Sequence, residues 1–156
     1  MFNPISWFKP ETAQAHCDVP CGIYEPLSAK IAAQTVQKMT LRIQTLERPD
    51  ATDAGAYQDY VNKIARYVTV KEEHAEVVKH ELAVLWADYA WPNTPAGFDL
   101  HGTFNAAIKL AGQCKQNVDM AKCEELVGTV DAIATAFWAT KNVEYSDPNS
   151  AARYGA

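Results

Sequence analysis

Apolar positions recur in steps of four and three through most of this chain, the spacing that lines one face of an α-helix. Ala32, Val36, Met39, Ile43 and Leu46 form the first such stripe. Pro26 opens it, at a position where a missing N–H costs little, and Arg48-Pro49-Asp50 closes it. A polar connection over residues 50–55 leads to the longest stripe: Tyr57, Val61, Ile64, Val68, Ala75, Val78, Leu82, Leu85 and Tyr89, with Lys71 its one polar member. Trp91-Pro92-Asn93-Thr94-Pro95 stops this helix, because proline disfavours the helical conformation at the residue before it. Leu100, Phe104, Ala107 or Ile108, Ala111 and Cys114 predict a third helix over about 98–117. Cys123, Leu126, Val130, Ile133, Phe137 and Trp138 predict a fourth over about 119–140. The segment from Asp147 onward reads as a loose tail.

Four amphipathic helices with short connections predict an all-α fold, an antiparallel four-helix bundle spanning about residues 26–141. No β-alternating run competes, and no repeat suggests a solenoid. With 156 residues, 48% hydrophobic and 21% charged, the chain suits one domain. Its net charge of -5 and its lack of any basic block exclude nucleic acid and anionic membrane surfaces as expected partners. No apolar run approaches the ~20 residues that span a bilayer. Cys114 and Cys123 lie among apolar neighbours in helical pattern and read as small buried hydrophobes. That usage favours a reducing compartment, so a cytoplasmic location is expected. Ala13-Gln14-Ala15 matches a small-x-small cleavage site and keeps export open, although neither a basic n-region nor an apolar h-region precedes it. Residues 1–15, with Pro4 and Pro10 and no helical period, read as a short propeptide, leaving 16–156 as the mature domain.

The candidate chemistry sits at that junction. His16-Cys17-Asp18-Val19-Pro20-Cys21-Gly22-Ile23-Tyr24 gathers an imidazole and two thiols within nine positions, a hook over residues 16–24. Pro20 and Gly22 are suited to a turn that brings both sulfurs to one ion. Two thiolates and one histidine fall short of a tetrahedral zinc site. A cut between Ala15 and His16 changes the count. The α-amine of His16 and the amide nitrogen of Cys17 then join the two sulfurs in a plane, with the His16 imidazole available from the axial direction. A planar N,S donor set favours Ni(II) or Cu(II), and its anionic sulfurs stabilise the higher oxidation state.

The order His16-Cys17-x-x-Pro20-Cys21-Gly22-x-Tyr24 at a processed N-terminus resembles the nickel superoxide dismutase family. Val84-Leu85-Trp86-Ala87-Asp88-Tyr89, Leu100-His101 and Phe137-Trp138-Ala139-Thr140-Lys141 extend the likeness over nearly all of the chain after Ala15. The resemblance implies a nickel cofactor held by His16, Cys17 and Cys21. It implies Asp18 and Tyr24 along the approach, with Tyr24 gating it, and Pro20 after a cis peptide bond. It further implies superoxide as substrate, a maturation protease and a homohexamer of four-helix bundles. Ala32, His74 and Trp91 stand where that family is expected to carry a glutamate, an arginine and a lysine.

The alternative is a non-enzymatic helical protein that binds or carries a metal; a third reading is an inert Cys17–Cys21 disulfide. Elsewhere the duller readings are preferred. His74 and His80 lie six apart, not the three or four that share a helix face. His101 is read as structural or interfacial, Tyr57, Tyr60 and Tyr67 as core and rim aromatics, and Glu72-Glu73 as a solvated face.

Overall fold

The computed structural model describes residues 22–155. Four long helices appear where the periodicity put them: α1 (Leu27–Thr45), α2 (Ala54–Asp88), α3 (Leu100–Gln116) and α4 (Met120–Thr140). Each packs on its neighbours in sequence, α4 closes back onto α1, and α2 and α4 lie on a diagonal, as an up-down-up-down bundle requires. Aspartates fix three of the starts. Asp53, Asp99 and Asp119 accept the backbone N–H of Ala56, Gly102 and Lys122 at 3.0, 3.0 and 3.3 Å, satisfying donors that a helix leaves unpaired in its first turn.

The core is built from the predicted stripes: Val36 of α1, Val78 and Leu82 of α2, Phe104 of α3, and Leu126, Val130, Ile133 and Phe137 of α4 are fully buried. Cys114 and Cys123 are buried and free, as the pattern suggested. The hydrogen bond it donates to its neighbour Cys123, together with burial, pushes the Cys114 thiol up, so it packs as a neutral group.

The long stripe of α2 behaves differently from its reading. Buried positions begin only at Lys71; Tyr57 is 36% and Val61 48% exposed. Tyr57 is therefore no core aromatic of this subunit. Helix lengths give the reason. At 1.5 Å per residue the 35 residues of α2 run ~52 Å against ~28 Å for the 19 of α1. The side chain of Gln44, near the end of α1, reaches the Val118 carbonyl in the α3–α4 turn, so both stop at one level. Lys71 marks the same level on α2, and residues 54–70 extend past it.

Lys71 itself explains the one polar residue on an apolar stripe. Its ammonium is buried and donates to the carbonyls of Cys114 and Asn117 at 3.0 and 2.6 Å. Those carbonyls close α3, where a helix exposes unpaired acceptors and the negative end of its dipole.

The tail is more ordered than expected. A short α5 (Ser150–Tyr154) ends on Gly155, whose left-handed φ of 71° lets its N–H reach Ala151 and Ala152. Gln34 of α1 donates to the Ser150 hydroxyl at 2.9 Å, and Arg153 donates back to Gln34 at 3.1 Å. A polar run without helical period concealed this anchor, because its partners lie on α1.

Candidate metal centre and its mouth

His16, Cys17, Asp18, Pro20 and Cys21 lie outside the described residues, as does the expected cis bond before Pro20. Tyr24, the last residue of the hook and three past Cys21, is described and fixes where the hook meets the bundle. Pro26 is buried, the Glu25 carboxylate accepts the Leu27 N–H at 3.2 Å, and the chain enters α1 directly. The Tyr24 hydroxyl donates to the Asp88 carbonyl at the end of α2 through a long, 3.4 Å hydrogen bond. Its ring tilts onto Tyr89, centroids 5.5 Å apart.

Tyr89 anchors an aromatic cluster. Its ring meets Trp91 at 5.3 Å and Phe137 at 4.9 Å, and Trp91 meets Phe104 edge-on at 5.3 Å. Offset and edge-to-face pairs of this kind add ~0.5–1.5 kcal/mol each beyond their buried area. The Tyr89 hydroxyl lies 2.6 Å from Thr140 Oγ1, which itself donates to the Phe137 carbonyl at 2.6 Å. The threonine has one proton to give, so Tyr89 donates and Thr140 accepts. The Tyr89 proton is thus committed inward, to Thr140, and that of Tyr24 points to the Asp88 carbonyl.

Trp91 leaves the right-handed helical region, as the following proline demands, yet its φ is 49°, in the left-handed region rather than the extended one. Burial of the indole to 7% exposure and its N–H bond to the Leu85 carbonyl at 3.1 Å hold it there. At the position where a cation was in question, Trp91 presents a buried neutral wall.

The remaining sequence candidates fall into place. Ala32 is buried in the core and offers no carboxylate. His74 is half-buried with Nδ1 2.9 Å from the Val70 carbonyl of its own helix, and His80 is exposed. His101 accepts the Trp86 indole N–H at Nδ1, 3.0 Å away, which places its own proton on Nε2 and gives it the structural role expected. Among the described residues no group of three His, Cys, Asp or Glu side chains could hold a metal ion. The donor chemistry available is therefore that of the hook. Two thiolates, an amide, an amine and an imidazole fit nickel, which accepts planar N,S ligation, better than oxygen-seeking cations. Lys71, the aspartate caps and the Tyr89–Thr140 bond were missed at the level of sequence; only the Asp-x-x spacing before each apolar run signalled the caps.

A four-helix bundle whose first helix is preceded in sequence by His16, Cys17 and Cys21, with Tyr24 and Tyr89 packed where the chain enters it, points to a class of metalloprotein, and relatives narrow it. The nickel-containing superoxide dismutase family matches residues 11–141. A superoxide dismutase [Ni] of Streptomyces seoulensis is 34% identical over 136 residues, covering 86% of this chain and 95% of the relative. One of Streptomyces coelicolor is 32% identical over the same lengths. The crystal structure of a Ni-containing superoxide dismutase after partial X-ray-induced reduction superposes with a TM-score of 0.68 at 31% identity, covering 82% of this chain and 100% of that one. The chain belongs to the nickel-containing superoxide dismutase family. Membership sets aside the carrier reading.

Proposed function

We propose that residues 16–24 are the catalytic hook of this enzyme, exposed when residues 1–15 are removed by a maturation protease. As a family member the chain is a nickel-dependent oxidoreductase that dismutates superoxide to dioxygen and hydrogen peroxide. The observation that carries the assignment of residues is the donor set His16-Cys17-x-x-Pro20-Cys21, inside the family match, in a chain whose described residues offer no rival metal cluster.

Nickel held by His16, Cys17 and Cys21 would supply the one-electron redox chemistry that dismutation needs. The chain's own groups do the rest. Cys17 and Cys21 must be thiolates, and the His16 amine neutral, for the ligands to close, so assembly is favoured by rising pH. Pro20 shapes the turn and Asp18 flanks the approach. Tyr24, tethered to the Asp88 carbonyl and backed by Tyr89, narrows the entrance and places a phenolic proton near the arriving anion. Electron paramagnetic resonance of trimmed, nickel-loaded protein tests this directly. A rhombic Ni(III) signal split by one axial nitrogen is expected, and its absence from active protein would remove His16 from the ligand set.

The hexamer belongs to the same reading. Supporting it, residues 54–70 of α2 extend past α1, α3 and α4 with Tyr57 and Val61 exposed, and Leu27 and Ile31 are 39% and 41% exposed on α1. Apolar surface of this kind marks protein contacts. Sedimentation of the trimmed enzyme should give the mass of six chains; a monomeric mass at micromolar concentration would refute it. Location in the cytoplasm is supported by the free thiols Cys114 and Cys123. No helix among the described residues is long and apolar enough to cross a membrane.

A further inference from the structure

Around Tyr89, the rings of Tyr24, Trp91 and Phe137 and the Thr140 hydroxyl are neutral, and one neighbouring side chain is a cation. Lys141, the residue that ends α4, holds its ammonium 5.5 Å from the Tyr89 centroid and 5.2 Å from that of Phe137. Tyr89 separates it from Tyr24 by a single ring. Lys141 is exposed, and among the described residues no carboxylate lies within ion-pair distance of it. Lys30, Lys79, Lys115, Lys122 and Arg153, by contrast, are each paired with an Asp or Glu.

A purely structural role leaves this placement unexplained. The end of α4 is already closed by its backbone: the N–H groups of Lys141 and Val143 bond the Trp138 carbonyl and that of Asn142 bonds Ala139, all at 3.0 Å. The ammonium does complement the helix dipole there, but any basic residue in the last turn does that. Lys38 and Arg42 also lie over rings, those of Tyr154 and Tyr67, without a carboxylate partner among the described residues. What is particular to Lys141 is that its rings are those that back Tyr24, in a chain of net charge -5 that acts on an anion.

We infer that Lys141 is the steering cation of this mouth, raising the local concentration of superoxide at the Tyr24 end of the bundle. The inference rests on the reading of Tyr24 as the lining of the approach. A unit charge ~10 Å from the path of an anion in water changes the encounter rate about twofold, and reversing it about fourfold. The effect should fade as the Debye length falls from ~30 Å at 0.01 M salt to ~3 Å at 1 M.

The test uses trimmed, nickel-loaded enzyme and pulse radiolysis. Lys141→Glu should lower the second-order rate about fourfold at low salt and converge on the parent at high salt. Lys141→Arg should keep both rate and salt slope. Lys122→Glu, at the far end of α4, should change neither beyond the small effect of net charge. Nickel content per chain and the thermal midpoint should stay at parental values throughout. In nickel-free protein, iodide quenching of indole fluorescence should fall in Lys141→Glu relative to quenching by neutral acrylamide, since half-buried Trp138 meets Phe137 edge-on and the ammonium lies over that same Phe137 ring. A low-salt rate unaffected by Lys141→Glu, or equally affected by Lys122→Glu, overturns the inference. If iodide quenching has nonetheless dropped, the fault lies in placing the mouth at Tyr24; if it has not, the fault lies in the local field.

Discussion

Protein kept uncut between Ala15 and His16 is expected to hold no stoichiometric nickel and to leave superoxide undismutated, whatever its folding. The bundle does not depend on the cut. The described core begins at Pro26, and none of its buried side chains comes from residues before it among those described. The proposed ligand set does depend on it. In the precursor the nitrogen of His16 is a peptide amide, a poor donor unless deprotonated. The planar set is then one strong nitrogen short, and the imidazole loses the chelate ring that holds it near the ion. Perturbing only the partners of a metal ligand costs 10–100-fold in affinity or activity, so losing a ligand outright should cost more than ~100-fold. An uncleavable variant, Ala15→Pro, compared with material whose N-terminus is His16 by mass spectrometry, gives the measurement. Equal nickel per chain and equal dismutation in both would show that the amine is no ligand.

Cys17→Ser and Cys21→Ser should each abolish nickel loading and activity while leaving helicity and thermal midpoint within experimental error. Serine keeps the size but offers a hydroxyl, which is a harder donor and is not ionised near neutral pH. It therefore supplies neither the charge nor the covalency that stabilise the higher oxidation state. Nickel analysis and dismutation assays on trimmed protein read the outcome. Two controls sharpen it: Cys114→Ala and Cys123→Ala remove buried thiols from the helix core and should cost some stability without emptying the site. Full activity in either hook mutant would end the assignment of that sulfur as a ligand.

The four helices were legible because each carries its own amphipathic period; the proposed donor set is compressed into six residues that lie outside the described ones. What escaped depends on contacts between elements. Lys71 looks anomalous on an apolar stripe until the end of α3 is seen beside it. Ser150 and Arg153 have no periodic signal, and Gln34, more than a hundred residues away, ties both to α1. Pro92 announces that Trp91 leaves the helical region, but not that its indole is drawn inward onto Tyr89 and Phe104. The stripe of α2 is the most instructive case. Periodicity reports that a face is apolar and is silent on whether it meets its own subunit or another.

That silence has a thermodynamic counterpart. Helix beyond the level of Lys71 buries none of its side chains fully in its own subunit, although Arg42 lies over the Tyr67 ring and residues 46–49 run beside it, and isolated helical segments of this length are marginal in water. Its order and the association of chains should therefore be one equilibrium, so that unfolding of this enzyme shifts to higher temperature as protein concentration rises. Dilution would then loosen the first half of α2 while Lys71, the closed end of α3 and the tyrosine-lined mouth still stand.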